Sequence, residues 1–209
     1  MKKEDYLKFI IEKIIASPCG YPHSKLKRDE IQREGLTSEV RRVYTQLGGV
    51  LDEFPINYRW DITYPDFIIE LDEELHFNRY RYETLQSVIY KDDHNYVVDD
   101  YKRYCNEYED KCLKAGSYGG KWKNSSTDTQ FKPSNEEGVL DGNGSSRWKQ
   151  RAFYDFLKDV HGIVRGIPVI RISIYDTYKN ESIGSILSRY DDEKITEFCR
   201  NLLKQHRII

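Results

Sequence analysis

The sequence predicts an α/β fold in which a mixed sheet is flanked by helices. Three observations carry that expectation. Several segments place apolar residues at helical spacing; two short runs are apolar on both faces, as strands buried between helix layers are; and helix, hairpin, helix and strand follow one another along the chain. The 209 residues fit one domain of ordinary size.

Residues 4–15 put Leu7, Ile10, Ile11 and Ile14 on one helical face, and Ser17-Pro18 closes that helix. After a turn at Gly20-Tyr21-Pro22, the charged segment 25–34 reads as a short second helix. Thr37 caps a third over 38–47, with Val40, Val43, Tyr44 and Leu47 inward and Gly48-Gly49 as its stop. Strands follow at 56–64 and from Phe67 to about Leu71 or beyond, separated by Pro65-Asp66. Residues 78–146 read as an insertion. Within it, 115–146 is crowded with Gly, Ser and Asn and is expected to be a long flexible loop with little regular structure. A helix at 147–160 carries Trp148, Ala152, Phe156, Leu157 and Val160 inward. Gly166-Ile167-Pro168 then introduces a strand at 169–174, and 192–204 forms the last helix.

Lys+Arg 33 against Asp+Glu 35 leaves a net charge of -2, so bulk charge does not hold this chain to a polyanion; a local basic patch must do so. No apolar run approaches the roughly 18 residues of a membrane span. Glu4, Asp5, Glu12 and Lys13 interrupt what would be the apolar stretch of a signal peptide, which points to a cytoplasmic protein. The four cysteines form no CxxC pair and are expected as free thiols. Cys105 and Cys112 share a helical face near His94, but structural zinc sites usually pair ligands two to four residues apart. Most of the seventeen tyrosines suit the edge of a core, where the ring packs and the hydroxyl stays hydrogen-bonded.

The most informative stretch is 57–72. If Pro65-Asp66 is a two-residue turn, opposed residues have numbers summing to 131, so Asp61 faces Glu70 and Arg59 faces Asp72, all on one side of the hairpin. Directly opposed carboxylates repel. A divalent cation with a preference for oxygen ligands, such as Mg²⁺, would explain their placement at Asp61, Glu70 and Asp72; an Arg59–Asp72 cross-strand pair with Asp61 in solvent is the structural alternative.

Read onward, Ile69-Glu70-Leu71-Asp72-Glu73-Glu74-Leu75-His76 resembles the E-x-D-G-x-x-H signature of very-short-patch-repair-like endonucleases, members of the PD-(D/E)XK nuclease superfamily. The segment from Arg151 to Asp159, followed by Gly166-Ile167-Pro168-Val169-Ile170-Arg171, resembles the family's helix and its G-x-x-V-I-R strand. The matched pieces are 37–77 and 147–175. The resemblance implies a restriction-endonuclease-like core and a Mg²⁺-dependent endonuclease acting on DNA, with Mn²⁺ as an alternative ion and restriction or another defence role as its setting. It assigns the acids to Asp61, Glu70 and Asp72 and the motif histidine to His76, with Asp66 as runner-up to Asp61 and Glu39 as a candidate additional acid. Glu73 replaces the motif glycine, and no lysine follows Glu70 at the x-K position. The water-activating role then falls to His76 or to a helix residue such as Lys149.

Nucleic acid would be met by basic clusters, chiefly Arg79-Tyr80-Arg81-Tyr82, where guanidinium and aromatic groups alternate, and by Lys121, Lys123 and Arg147. A binding module of the same fold without catalysis, or an RNA-processing nuclease, are the competing readings, and a homodimer is among the assemblies left open.

Overall fold

The computed structural model describes residues 1–91 and 96–209. In chain order they form α1 (Lys3–Ile15), α2 (Arg28–Arg33), α3 (Thr37–Gln46), β1 (Ile62–Thr63), β2 (Ile68–Asp72), α4 (Arg79–Thr84), α5 (Val98–Glu107) and α6 (Glu109–Gly116). There follow α7 (Gly119–Trp122), α8 (Ser125–Phe131), α9 (Ser146–Arg165), β3 (Val169–Ser173), β4 (Thr177–Tyr178), β5 (Glu181–Ser182), α10 (Ile183–Arg189) and α11 (Asp192–Gln205). The result is a mixed α/β protein with a small mixed sheet flanked by helices. No helix of the described residues is long and apolar enough to cross a membrane.

The chain packs as two compact units interleaved in sequence. The first comprises Met1–Ser24, Arg59–Glu73 and Ile167–Ile209; the second, Lys25–Tyr58 and Glu74–Gly166.

In the first unit β1 and β2 pair antiparallel, with Ile62 opposite Ile69 and Thr63 opposite Ile68, so the pair numbers do sum to 131. Tyr64 N–H donates to Phe67 C=O at 3.0 Å across Pro65-Asp66, which fixes this register. β3 adds to β2 in parallel, with Ile68 opposite Val169, Glu70 opposite Arg171 and Asp72 opposite Ser173. Ile68, Ile69, Val169, Ile170 and Ile172 are all buried, as the runs apolar on both faces require. One face of the sheet, with Ile69, Leu71, Ile170 and Ile172, packs against Leu7, Ile10 and Ile11 of α1 and against Ile186 and Cys199 of the C-terminal helices. The strand expected at 56–64 shrinks to two residues. Further upstream, Asn57 accepts from Lys25 Nζ at 2.6 Å and Tyr58 hydroxyl contacts His161 Nδ1 at 3.0 Å, so that segment is held by side chains of the second unit and not by a strand ladder. β4 and β5, absent from the sequence expectation, are joined at Lys179-Asn180, both with positive φ as a type I′ turn demands.

The second unit is built around α9. Ser145 caps its start by accepting from Trp148 N–H, and Gly166 at φ 63° ends it. Trp148, Ala152, Phe153, Phe156, Leu157 and Val160 are buried. Tyr44 of α3 packs its ring against Phe153 and Phe131 at 4.9 and 5.3 Å.

Residues 115–146 depart from the expected structureless loop: they contain α7 and α8. Their polar composition hides two anchors, Trp122 and Phe131, both fully buried, and Trp122 meets Trp148 edge to face at 5.2 Å. Asn124 forms a capping box with Thr127, and Ser146 Oγ donates to Asp128 at 2.7 Å, so the polar side chains satisfy the backbone and one another.

Candidate functional site

The carboxylates singled out in the hairpin lie in the first unit. Ile69 and Leu71 of β2 point into the apolar core, so the alternation of a strand sends Glu70 and Asp72 to the opposite face, and the parallel register brings Arg171 and Ser173 of β3 to that same face. Glu70, Asp72, Arg171 and Ser173 are all buried there. Asp61, just before β1, is half-buried and interlocks with β2. Its N–H donates to Glu70 Oε1 at 3.1 Å, while its own Oδ2 accepts from Leu71 N–H at 2.9 Å. Each of the two acids thus holds a backbone amide of the other's segment.

Asp72 is held differently from the cross-strand expectation. Arg171 Nη1 donates to both Asp72 oxygens at 2.9 Å, with the two side chains 0% and 2% exposed, whereas Arg59 is exposed. The physical reason is burial: an ionised group removed from water needs an equally buried counter-charge, and β3 supplies one. The surroundings are acidic at the edge. Glu4 has its carboxyl raised above the ordinary range, first by desolvation and then by the negative charge of Asp61, with Asp5 and Glu73 adding to it.

His76, Lys149, Glu39 and the expected nucleic-acid-binding residues belong to the second unit. His76 ends a short 3₁₀ turn, Glu74–His76, fixed by the fully buried Phe77 and by Asn78, whose side chain caps α4. Its Nδ1 lies 2.7 Å from Oδ2 of the buried Asp155 on α9. A buried carboxylate against one ring nitrogen fixes the orientation of the imidazole. Asp155 was not legible as a partner, since it lies 79 positions away.

Lys149 is committed elsewhere. Its Nζ donates to Asn143 at 2.7 Å and sits over the Tyr80 ring at 5.5 Å, and burial, then Lys132, lowers its pKa. Six residues of helix separate it from Asp155, about 9 Å along the axis and well round the barrel of α9. Glu39 accepts from Arg42, from Ser87 hydroxyl at 2.5 Å and from Val88 N–H at 3.2 Å; these bonds, Arg42's first, bring its pKa to about 2.

Of the expected phosphate contacts, Arg81 is corrected by the structure. It is buried, with Nη2 2.8 Å from Asp159 and its remaining donors on Thr84, Tyr90 and Tyr96, so it is an interior counter-charge and offers no surface to nucleic acid. Arg79 makes a forked pair with Glu109, at 2.9 and 2.7 Å. Lys121 donates to Ala115 C=O and Tyr118 hydroxyl; Lys123 is exposed; Arg147 bonds Gln150. His94, raised with Cys105 and Cys112, lies outside the described residues; both thiols are buried, and burial pushes Cys112 up to about 12.

A family model described as a family of unknown function, DUF7255, matches residues 42–189. The chain belongs to DUF7255. No curated protein and no solved structure matches it. The DUF7255 span takes in Asp61, Glu70, Asp72, His76, Asp155 and Arg171, and leaves Glu39 and α11 outside.

Proposed function

We propose that this DUF7255 chain is a metal-dependent endonuclease that hydrolyses DNA phosphodiester bonds on a restriction-endonuclease-like core. The observation that carries the reading is the interlock of Asp61 and Glu70 at the start of the β1–β2 hairpin, each carboxylate accepting a backbone N–H from the other segment, beside the parallel strand that bears Arg171. The antiparallel pair followed by a parallel third strand supports the superfamily resemblance stated above.

The donor set suits Mg²⁺ or Mn²⁺: carboxylate oxygens of Asp61, just before β1, and of Glu70 on β2, in an acidic neighbourhood. When bound, such an ion polarises a phosphate and lowers the pKa of water. Asp61 and Glu70 are the residues that would hold it. Asp72 shares both oxygens with Arg171 and contributes only if the guanidinium releases one. The resemblance gives proton transfer, the task the missing x-K lysine leaves open, to His76, whose Nδ1 contacts Asp155 within the second unit.

A second reading, a nucleic-acid-binding module without catalysis, is favoured by one specific feature: Asp61, Glu70 and Asp72 all have hydrogen-bond partners within the protein. Incubating purified protein with plasmid DNA and with RNA, in Mg²⁺, Mn²⁺ or EDTA, separates the two. DNA cleavage abolished by EDTA supports the nuclease. Binding without cleavage in either metal supports the module, and cleavage confined to RNA changes the substrate.

A further inference from the structure

Most arginines of the second unit face a carboxylate: Arg42 pairs with Glu39, Arg79 with Glu109, Arg81 with Asp159, Arg103 with Asp100 and Arg165 with Glu30. Arg41, held by Leu51 C=O over the Phe54 ring, is an exception, and so are Arg147 and Arg151. Among the described residues neither of these last two has a carboxylate within ion-pair distance; Arg147 bonds the amide of Gln150, and Arg151 Nη1 makes one long bond, 3.4 Å, to Leu75 C=O. They stand one turn apart on α9, and Asp155 follows one turn later on the same face. Asp155, the acid whose field favours the charged Arg151, has its Oδ2 on His76. Burial and the charge of Arg147 both work against the Arg151 cation, which stays ionised because guanidinium does not lose its proton in proteins. Two like charges one turn apart, partly removed from water and with no carboxylate within ion-pair distance, are an arrangement that an anion stabilises.

We propose that Arg147 and Arg151 form a phosphate-binding fork beside the turn that carries His76, and that it holds a backbone phosphate of the nucleic acid. The guanidinium planes supply paired donors matched to phosphate oxygens. Leu75, which Arg151 touches, directly precedes His76, so an anion held there lies beside the residue assigned to proton transfer. The identity of the anion rests on the nuclease reading; the existence of the fork rests on the geometry of α9.

The test measures binding of a short fluorescent DNA duplex in EDTA across a salt series, for the unmodified protein, Arg151→Met, Arg151→Lys, Arg147→Met and Arg103→Met. Arg103 is a control, exposed and paired with Asp100 and Glu107. Arg151→Met is expected to weaken binding by roughly tenfold or more and to reduce the salt slope by about 1. Arg147→Met should act in the same direction, Arg151→Lys should keep the slope, and Arg103→Met should match the unmodified protein. In parallel, inorganic phosphate at matched ionic strength should raise the melting temperature of the unmodified protein and not that of Arg151→Met. If that shift occurs while no metal supports cleavage, the fork stands and the nuclease reading falls. If the unmodified protein cleaves DNA but Arg151→Met binds, cleaves and responds to phosphate unchanged, the fork is overturned and the nuclease stands. No phosphate response in the unmodified protein also overturns the fork.

Discussion

Removing the Asp72 carboxylate should unfold the protein's sheet more readily than it should alter its chemistry. In Asp72→Ala, the Arg171 guanidinium keeps its charge but loses the anion that Nη1 reaches at 2.9 Å through both oxygens. The pair is almost wholly shielded, at 0% and 2% exposure, so solvent screening does not soften the loss. Breaking such a pair from one side costs about 3–5 kcal/mol. For a chain of this length that is a fall of roughly 6–20 °C in melting temperature. Arg171→Met should cost a similar amount by taking the buried guanidinium from Asp72. The double variant Asp72→Leu/Arg171→Met should recover most of the loss, because replacing a buried pair by apolar side chains is often neutral or stabilising. Circular dichroism melts and urea titrations of the two single variants and the double variant give the coupling. A loss below about 1 kcal/mol in either single variant, or a double variant as unstable as the sum of the singles, would refute the assignment of Asp72 as Arg171's buried counter-charge.

Three further outcomes follow from the same contacts. Asp61→Ala and Glu70→Ala should each lose about 1–3 kcal/mol, since each carboxylate accepts a backbone N–H that alanine leaves unsatisfied; Asp61→Asn and Glu70→Gln keep an acceptor and should melt closer to the unmodified protein while losing cleavage. Glu39, depressed from 4.5 to about 2, adds stability that is present above pH about 4.5 and lost as pH falls through about 2; in Glu39→Gln that part of the acid transition should disappear from a pH series of urea melts. Trp122→Ala should cost about 3–5 kcal/mol and open 115–146 to limited proteolysis, which should spare that segment in the unmodified protein.

The parts of the fold legible in the sequence are those set by local pattern. Alternation and a two-residue turn give the register that places Asp61 against Glu70, and helical spacing finds α1, α3, α9 and α11. What escapes is set by partners far along the chain. Arg171 reaches Asp72 across 99 positions and Asp155 reaches His76 across 79, and neither spacing carries a local signal. Arg81 looks like a surface cation beside alternating tyrosines until Asp159, 78 positions on, draws it inside. Helices α7 and α8, of four and seven residues, are shorter than the window over which periodicity can be read, and a single buried aromatic at the end of each holds them in place. The two interleaved units likewise arise from which segments pack together, and no change in composition marks their boundaries.

The most direct test of the central claim compares conversion of supercoiled plasmid by the unmodified protein and by Glu70→Gln, at equal concentration in Mn²⁺, Mg²⁺ and EDTA, after their melting curves have been shown to match. The account predicts nicked and linear DNA from the unmodified protein in either metal, none in EDTA and none from Glu70→Gln. Cleavage by Glu70→Gln at the unmodified rate would contradict it.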